Sequence, residues 1–131
     1  YGATHSLAIN EVAIAINSLD GADRLILLFG LVFVSVGIVF KLGGVPFHMW
    51  VPDVYEGAPS AVTLLISTGP KLAAFALAMR LFVDALPALS ISWQQILMVV
   101  AILSMALGNT VAIAQTNIKR MFAYSSIAHI G

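Results

Sequence analysis

Charged positions cut the chain into long uncharged runs. Between Arg24 and Lys41 lie sixteen uncharged, mostly apolar residues, and the apolar pattern resumes after Lys41 and runs to Trp50, Val51 and Pro52. A spanning helix needs about 20 apolar residues. Leu25 to about Trp50 is therefore predicted to be one span, broken near Gly43–Pro46 and carrying a single lysine. The same pattern predicts a second span over roughly 60–83 around Lys71, and a third from about Trp93 to Gln115. A fourth begins after Lys119-Arg120. Residues 1–22 are too polar to cross. Ile9, Val12, Ala13, Ile16 and Leu19 would share one face of a short amphipathic helix at the membrane interface, with Asn10 as its cap and Glu11 at its positive end. The alternation of Val12, Ile14 and Ile16 leaves a strand as the competing reading. The expected fold is all-α: a polytopic transmembrane helix bundle of three spans plus the start of a fourth. Residues 1–22 form the interfacial segment and 23–131 part of the transmembrane domain.

The connections are marked by their residues. Pro52 to Pro59 reads as a polar turn with two prolines, Asp84 to Ser92 holds Pro87, and Gln115 to Arg120 is short and basic. Alternating spans put the 51–59 and 115–120 connections on one side. The positive-inside rule sets Lys119 and Arg120 there against Arg24 and Arg80 opposite, which assigns the first side to the cytoplasm. Trp50 and Tyr55 on one side and Trp93 on the other suit interfacial aromatic belts. The chain opens Tyr1-Gly2-Ala3-Thr4, shows no basic segment leading into an apolar run of the signal-peptide kind, and stops at Ile130-Gly131 just after an apolar segment has begun. It is expected to be a piece of a longer membrane protein.

Composition agrees with this picture. Of 131 residues, 60% are apolar and 9% charged, against about 25% charged in a soluble domain. That excludes a water-soluble globule and a disordered chain. Six Lys+Arg balance six Asp+Glu, so there is no basic excess to hold nucleic acid. The absence of cysteine removes disulfides, cysteine zinc sites, iron–sulfur ligation and thiol catalysis.

Lys41 and Lys71 carry the chemistry. Each is alone in an apolar span. Lys71 lies near the middle of 60–83, and Lys41 about four residues, or about 6 Å, beyond the middle of 25–50. An ammonium at bilayer depth costs roughly 3 kcal/mol on insertion scales, and such a residue faces a bundle interior or a hydrated cavity. A buried lysine can gain and lose its proton near neutral pH, which arginine cannot do. The alternative is a lysine paired permanently with a carboxylate on a neighbouring helix. A backbone break sits beside each: Gly43-Gly44-Val45-Pro46 after Lys41, and Ser67-Thr68-Gly69-Pro70 before Lys71, where the two hydroxyls are expected to satisfy carbonyls freed by Pro70. His48 and His129 can carry protons near neutral pH or ligate haem or metal. Neither has a second histidine four residues away, and a hydrogen-bonding histidine near a helix end is the plainer reading. Asp53 and Glu56 read as a solvated turn or a subunit contact, Lys119-Arg120 as a topology signal pairing with lipid phosphates, and Arg80 with Asp84 as an i,i+4 pair.

The run FKLGGVPFHMWVPDVYEGAP (40–59), with PKLAAFALAMRLF (70–82) and QTNIKRMFAYSSIAHIG (115–131), strongly resembles the antiporter-like membrane subunits of respiratory complex I. The resemblance is close from about residue 24 onward and loose over 1–23. It implies a fourteen-helix proton-pumping subunit of which this chain covers helices seven, eight, nine and the start of ten. It implies that Lys41 is the central helix-seven lysine that accepts a proton, and Lys71 the helix-eight lysine that passes it along the membrane. His48, Ser67, Thr68 and His129 are candidates for the proton path. The helix-five glutamate and helix-twelve lysine of that family would lie outside residues 1–131, so this stretch would not pump by itself. The expected partners are the other membrane-arm subunits of complex I and the lipid bilayer, with no nucleic acid, in a bacterial inner membrane. NAD, FMN, iron–sulfur clusters and quinone are expected in other subunits, with no cofactor in this chain. A subunit of a Mrp-type cation/proton antiporter, which shares the fold and the lysines, is the nearest rival. A haem-binding anchor using His48 and His129 is a rival of another class.

Overall fold

The computed structural model describes residues 1–19 and 21–131. The described residues form six α-helices: α1 (Ile9–Ala15), α2 (Ala22–Leu42), α3 (Trp50–Gly57), α4 (Ser60–Met79), α5 (Ser90–Ile113) and α6 (Ile118–Ile130). A 3-10 turn (Ile16–Ser18) extends α1, a π turn (Arg80–Ala85) extends α4, and a 3-10 turn (Pro87–Leu89) precedes α5. Three segments are long and apolar enough to cross a membrane: Ala22–Leu42, Ser60–Ala85 and Pro87–Ile113. This is the expected all-α bundle, with its first span broken where Gly43 stands.

The break is sharper than the apolar run suggested. Gly43 adopts a left-handed conformation (φ 80°), and the amides of Gly43 and Gly44 both return to the Val39 carbonyl. Glycine pays no Cβ penalty in this cap. A Cβ on Gly43 would also stand 2.7 Å from a Val51 methyl. The Trp50 indole N–H donates to the Phe40 carbonyl (3.1 Å), and the two rings lie 5.9 Å apart. Trp50 thus satisfies a carbonyl at the end of α2. The predicted single span from Leu25 to Trp50 is two helices, because the chain reverses after Leu42. The predicted polar turn at 52–59 is mostly helical, since Pro52 falls in the first turn of α3, where its missing N–H costs nothing.

The break lies deep in the bundle. The Val45 amide donates to Ser104 Oγ (2.9 Å), and Ser104 is fully buried. Ser104 is 14 residues past Ser90, about 21 Å along α5. Irregular backbone at that depth requires such a partner.

At the opposite end, α1 packs on the π turn. Ile16 is buried with Phe82, Ala85, Leu86 and Leu89, and Ile9 and Val12 lie against this cluster while Ile14 points outward. The apolar face is as predicted and the helical period prevails over the strand reading, but the face packs onto protein. Asn10 lies inside α1 and does not cap it; the Ala8 amide donates to Ser6 Oγ instead. Trp93 stacks on Phe82 (centroids 5.5 Å) and its indole donates to the Leu86 carbonyl (3.2 Å), closing the turn into α5. Arg80 and Asp84 form no ion pair, their α-helical spacing being replaced by the π turn.

The α5–α6 crossing is close. Gly108 lies against Ala128, where a Cβ would meet the Ala128 backbone nitrogen at 2.7 Å. Ala123 and Ile127 of α6 are fully buried beside Val45, Val51 and Tyr55. The alternation of spans brings α3 and the start of α6 to one end, as predicted.

Candidate functional site

α4 carries a polar stripe. Ser60, Thr63, Ser67 and Lys71 recur at helical spacing and line one open cavity of about 700 Å³, together with Tyr55 of α3 and Phe122, Ser126 and His129 of α6. Lys71 lies 11 residues past Ser60, about 16 Å along the helix. Its ammonium donates to Ser126 Oγ and stands 5.9 Å from the centroid of the Tyr55 ring. The ion pairs found among the described residues all belong to Arg120. Lys71 therefore meets a hydroxyl and a ring face, and no carboxylate.

Lys41 occupies a different place. It is exposed in the last turn of α2. It lines a groove with Val34, Gly37 and Ile38 of α2 and with Pro70, Ala73 and Ala74 of α4. The helix end, rather than the middle of a long span, brings it level with Pro70. The groove and the Lys71 cavity lie on adjacent faces of α4, separated by its backbone at Pro70–Lys71. Ser67 and Thr68 both donate to the Leu64 carbonyl (2.8 and 2.9 Å), not to Ile66, whose amide partner Pro70 removes. Ser67 lines the cavity and Thr68 is exposed. His48 is buried with Nδ1 unpartnered, its ring 6.3 Å from that of Tyr124. His129 lines the Lys71 cavity. The two histidines share no cavity among those described.

The end of the bundle where α3 meets the start of α6 is tied by charge. Arg120 contacts Glu56 (2.7 Å) and Asp53 (3.2 Å), and Asn117 donates to Glu56 (2.9 Å). Lys119 Nζ donates to the carbonyls of Glu56 and Ala58 (3.4 and 3.2 Å) at the negative end of α3. The Glu56 hydrogen bond, helped by the Glu56 and Asp53 charges, raises the Arg120 pKa above its ordinary value against a smaller effect of desolvation. Two cations in the first turn of α6 oppose its dipole, and these partners offset that. The acidic pair remains exposed, as expected of a solvated segment, and also ties α3 to Arg120, while Lys119 binds carbonyls of α3.

Tyr55 and Ser126 escaped the sequence reading, which placed Tyr55 in an aromatic belt; it is 4% exposed. The signal was available. Ser60, Thr63, Ser67 and Lys71 form one helical stripe, and Phe122, Ser126 and His129 form another.

The described residues form an all-helical bundle with segments able to cross a membrane and a half-buried lysine near the middle of one of them, and the sequence relations place it among membrane proteins. Residues 1–131 match the family described as NADH:quinone oxidoreductase/Mrp antiporter, TM, and the chain belongs to that family. It is 61% identical over its whole length to NADH-quinone oxidoreductase subunit N of Coxiella burnetii, covering 27% of that relative. It is also 61% identical, over its whole length, to subunit N of Herminiimonas arsenicoxydans (26% covered). Subunit N of Ruthia magnifica is 58% identical over the whole chain (28% covered). The chain spans about a quarter of the length of these curated relatives.

Proposed function

We propose that this chain forms part of the proton-translocating membrane subunit of NADH:quinone oxidoreductase, seated in a bacterial inner membrane among the other membrane-arm subunits. The observation that carries the proposal is Lys71, held at mid-span in a cavity by neutral partners. A lysine with a permanent carboxylate partner keeps its proton; one held by a hydroxyl and a ring can release it. The hydroxyl row Ser60, Thr63, Ser67 supports a polar approach to Lys71 from the α3–α6 end. Lys41, across the Pro70 backbone, is the second carrier. A proton moving between the two lysines passes around α4 where Pro70 leaves the Ile66 carbonyl without its amide donor. Electron transfer, with its NAD, FMN, iron–sulfur clusters and quinone, belongs to other subunits. Identity to subunit N over the whole chain favours this reading over the Mrp-type antiporter, which is related at the level of the family. The haem-anchor reading gains no support from two histidines that share no cavity.

The test is NADH-driven proton pumping in vesicles bearing the assembled complex, with Lys71→Ala and Lys41→Ala in the full-length subunit. Dye-linked NADH oxidation confirms assembly. Pumping is expected to fall at least tenfold in each variant with dye-linked activity unchanged. Normal pumping in both variants would refute the proposal.

A further inference from the structure

Tyr55 is fully enclosed beside Val51, Ala123 and Ile127, yet it lines the Lys71 cavity. Its hydroxyl makes no hydrogen bond. What it offers Lys71 is therefore the ring: Nζ stands 5.9 Å from the centroid, inside the range of about 6 Å over which a cation is attracted to an aromatic face. That attraction is strongest where water is excluded. The ring is also held in place from outside the bundle. Asp53 and Glu56 flank Tyr55 on the same short helix and bind Arg120, while Lys119 binds that helix's last carbonyls. Ser126, on a separate helix, accepts a hydrogen bond from the same ammonium.

We propose that Tyr55 is a positioning residue for Lys71, its ring face holding the charged ammonium in the cavity while Ser126 accepts its hydrogen bond. The proposal rests on the reading of Lys71 as a proton carrier. It assigns the ring, and not the phenolic oxygen, to the task. It also gives the charged form of Lys71 a partner that the neutral form lacks, so Tyr55 sets how readily the proton is held and released.

The experiment uses the assembled complex in vesicles, with dye-linked NADH activity as the assembly control. Tyr55→Phe keeps the ring and is expected to pump within about twofold of wild type. Tyr55→Leu is expected to pump about three- to tenfold more slowly, with a rate–pH profile displaced from that of wild type, because only the protonated lysine is attracted to the ring. Added to Lys71→Ala, it is expected to cause no further loss. Since leucine in a packed site can disturb assembly, progressively fluorinated phenylalanines incorporated in place of Tyr55 provide a second series. They keep the shape of the ring while draining its negative face, and pumping should fall with each added fluorine. Equal pumping across the fluorinated series overturns the proposal, as does a Tyr55→Phe variant as impaired as Tyr55→Leu. So does a Tyr55→Leu loss that persists undiminished in the Lys71→Ala background. Normal pumping in Lys71→Ala itself overturns the carrier reading, and the positioning role with it. Failure of Tyr55 alone is recognised by impaired Lys71→Ala alongside unaffected ring variants.

Discussion

Replacing Gly108 by alanine tests the geometry that places Ser126 beside Lys71. The added Cβ would stand 2.7 Å from the Ala128 nitrogen and 2.9 Å from its Cα and Cβ, whereas ordinary contact begins near 3.4 Å. The helices must therefore separate by about 0.7 Å at this point, the difference between those contacts. Backbone atoms cannot rotate aside as a flexible side chain could, and the crossing of two membrane helices depends on small residues that let backbones approach. Overpacking of this kind typically costs about 1–3 kcal/mol. Ser126 lies two residues before Ala128 on α6, so the strain reaches the hydrogen bond to Lys71. The expected result for Gly108→Ala in the full-length subunit is a lower thermal unfolding midpoint in detergent and slower NADH-driven pumping. Ala128→Gly in the same chain should recover part of the loss, since it removes the Cβ contact but not the contacts to N and Cα. Gly69→Ala is the control, because its Cβ meets nothing within 4 Å. An unchanged midpoint and unchanged pumping in Gly108→Ala would refute the close crossing.

Two further predictions probe what holds the cavity in shape. Ser104→Ala removes the acceptor of the buried Val45 amide at the broken helix; an unmade buried hydrogen bond costs about 1–3 kcal/mol, and thermal unfolding of the purified complex should show a lower midpoint. Arg120→Gln removes the ion pairs to Asp53 and Glu56 at an exposed site, so any loss of thermal stability should be small and should shrink between about 0.1 M and 1 M salt, where the screening length falls from about 10 Å to 3 Å. A loss that is the same at both salt concentrations would show that Arg120 acts through packing.

Much of the architecture was legible in the residues. A chain with 9% charged residues can hide its backbone from lipid only in helices or a closed barrel, and uncharged runs of spanning length selected helices. The glycines and the proline after Lys41 marked the break at Gly43, because an open backbone in an apolar span is expensive unless the fold satisfies it. Period and composition, however, report only the local chain. They could not show where the residues after Leu42 go once the helix ends, because the Val45 amide is satisfied by Ser104, 59 positions away in sequence. Nor could they assign Tyr55 to packing and Trp50 and Trp93 to carbonyl capping, since those partners lie on other elements. The pairing of Lys119 and Arg120 with α3, and of Lys71 with Ser126, likewise joins helices distant in sequence. The residues determined that a lysine would fall near the middle of a helix long and apolar enough to span a membrane. Only the packing of α3 and α6 against α4 decided that its partners are a hydroxyl and a ring.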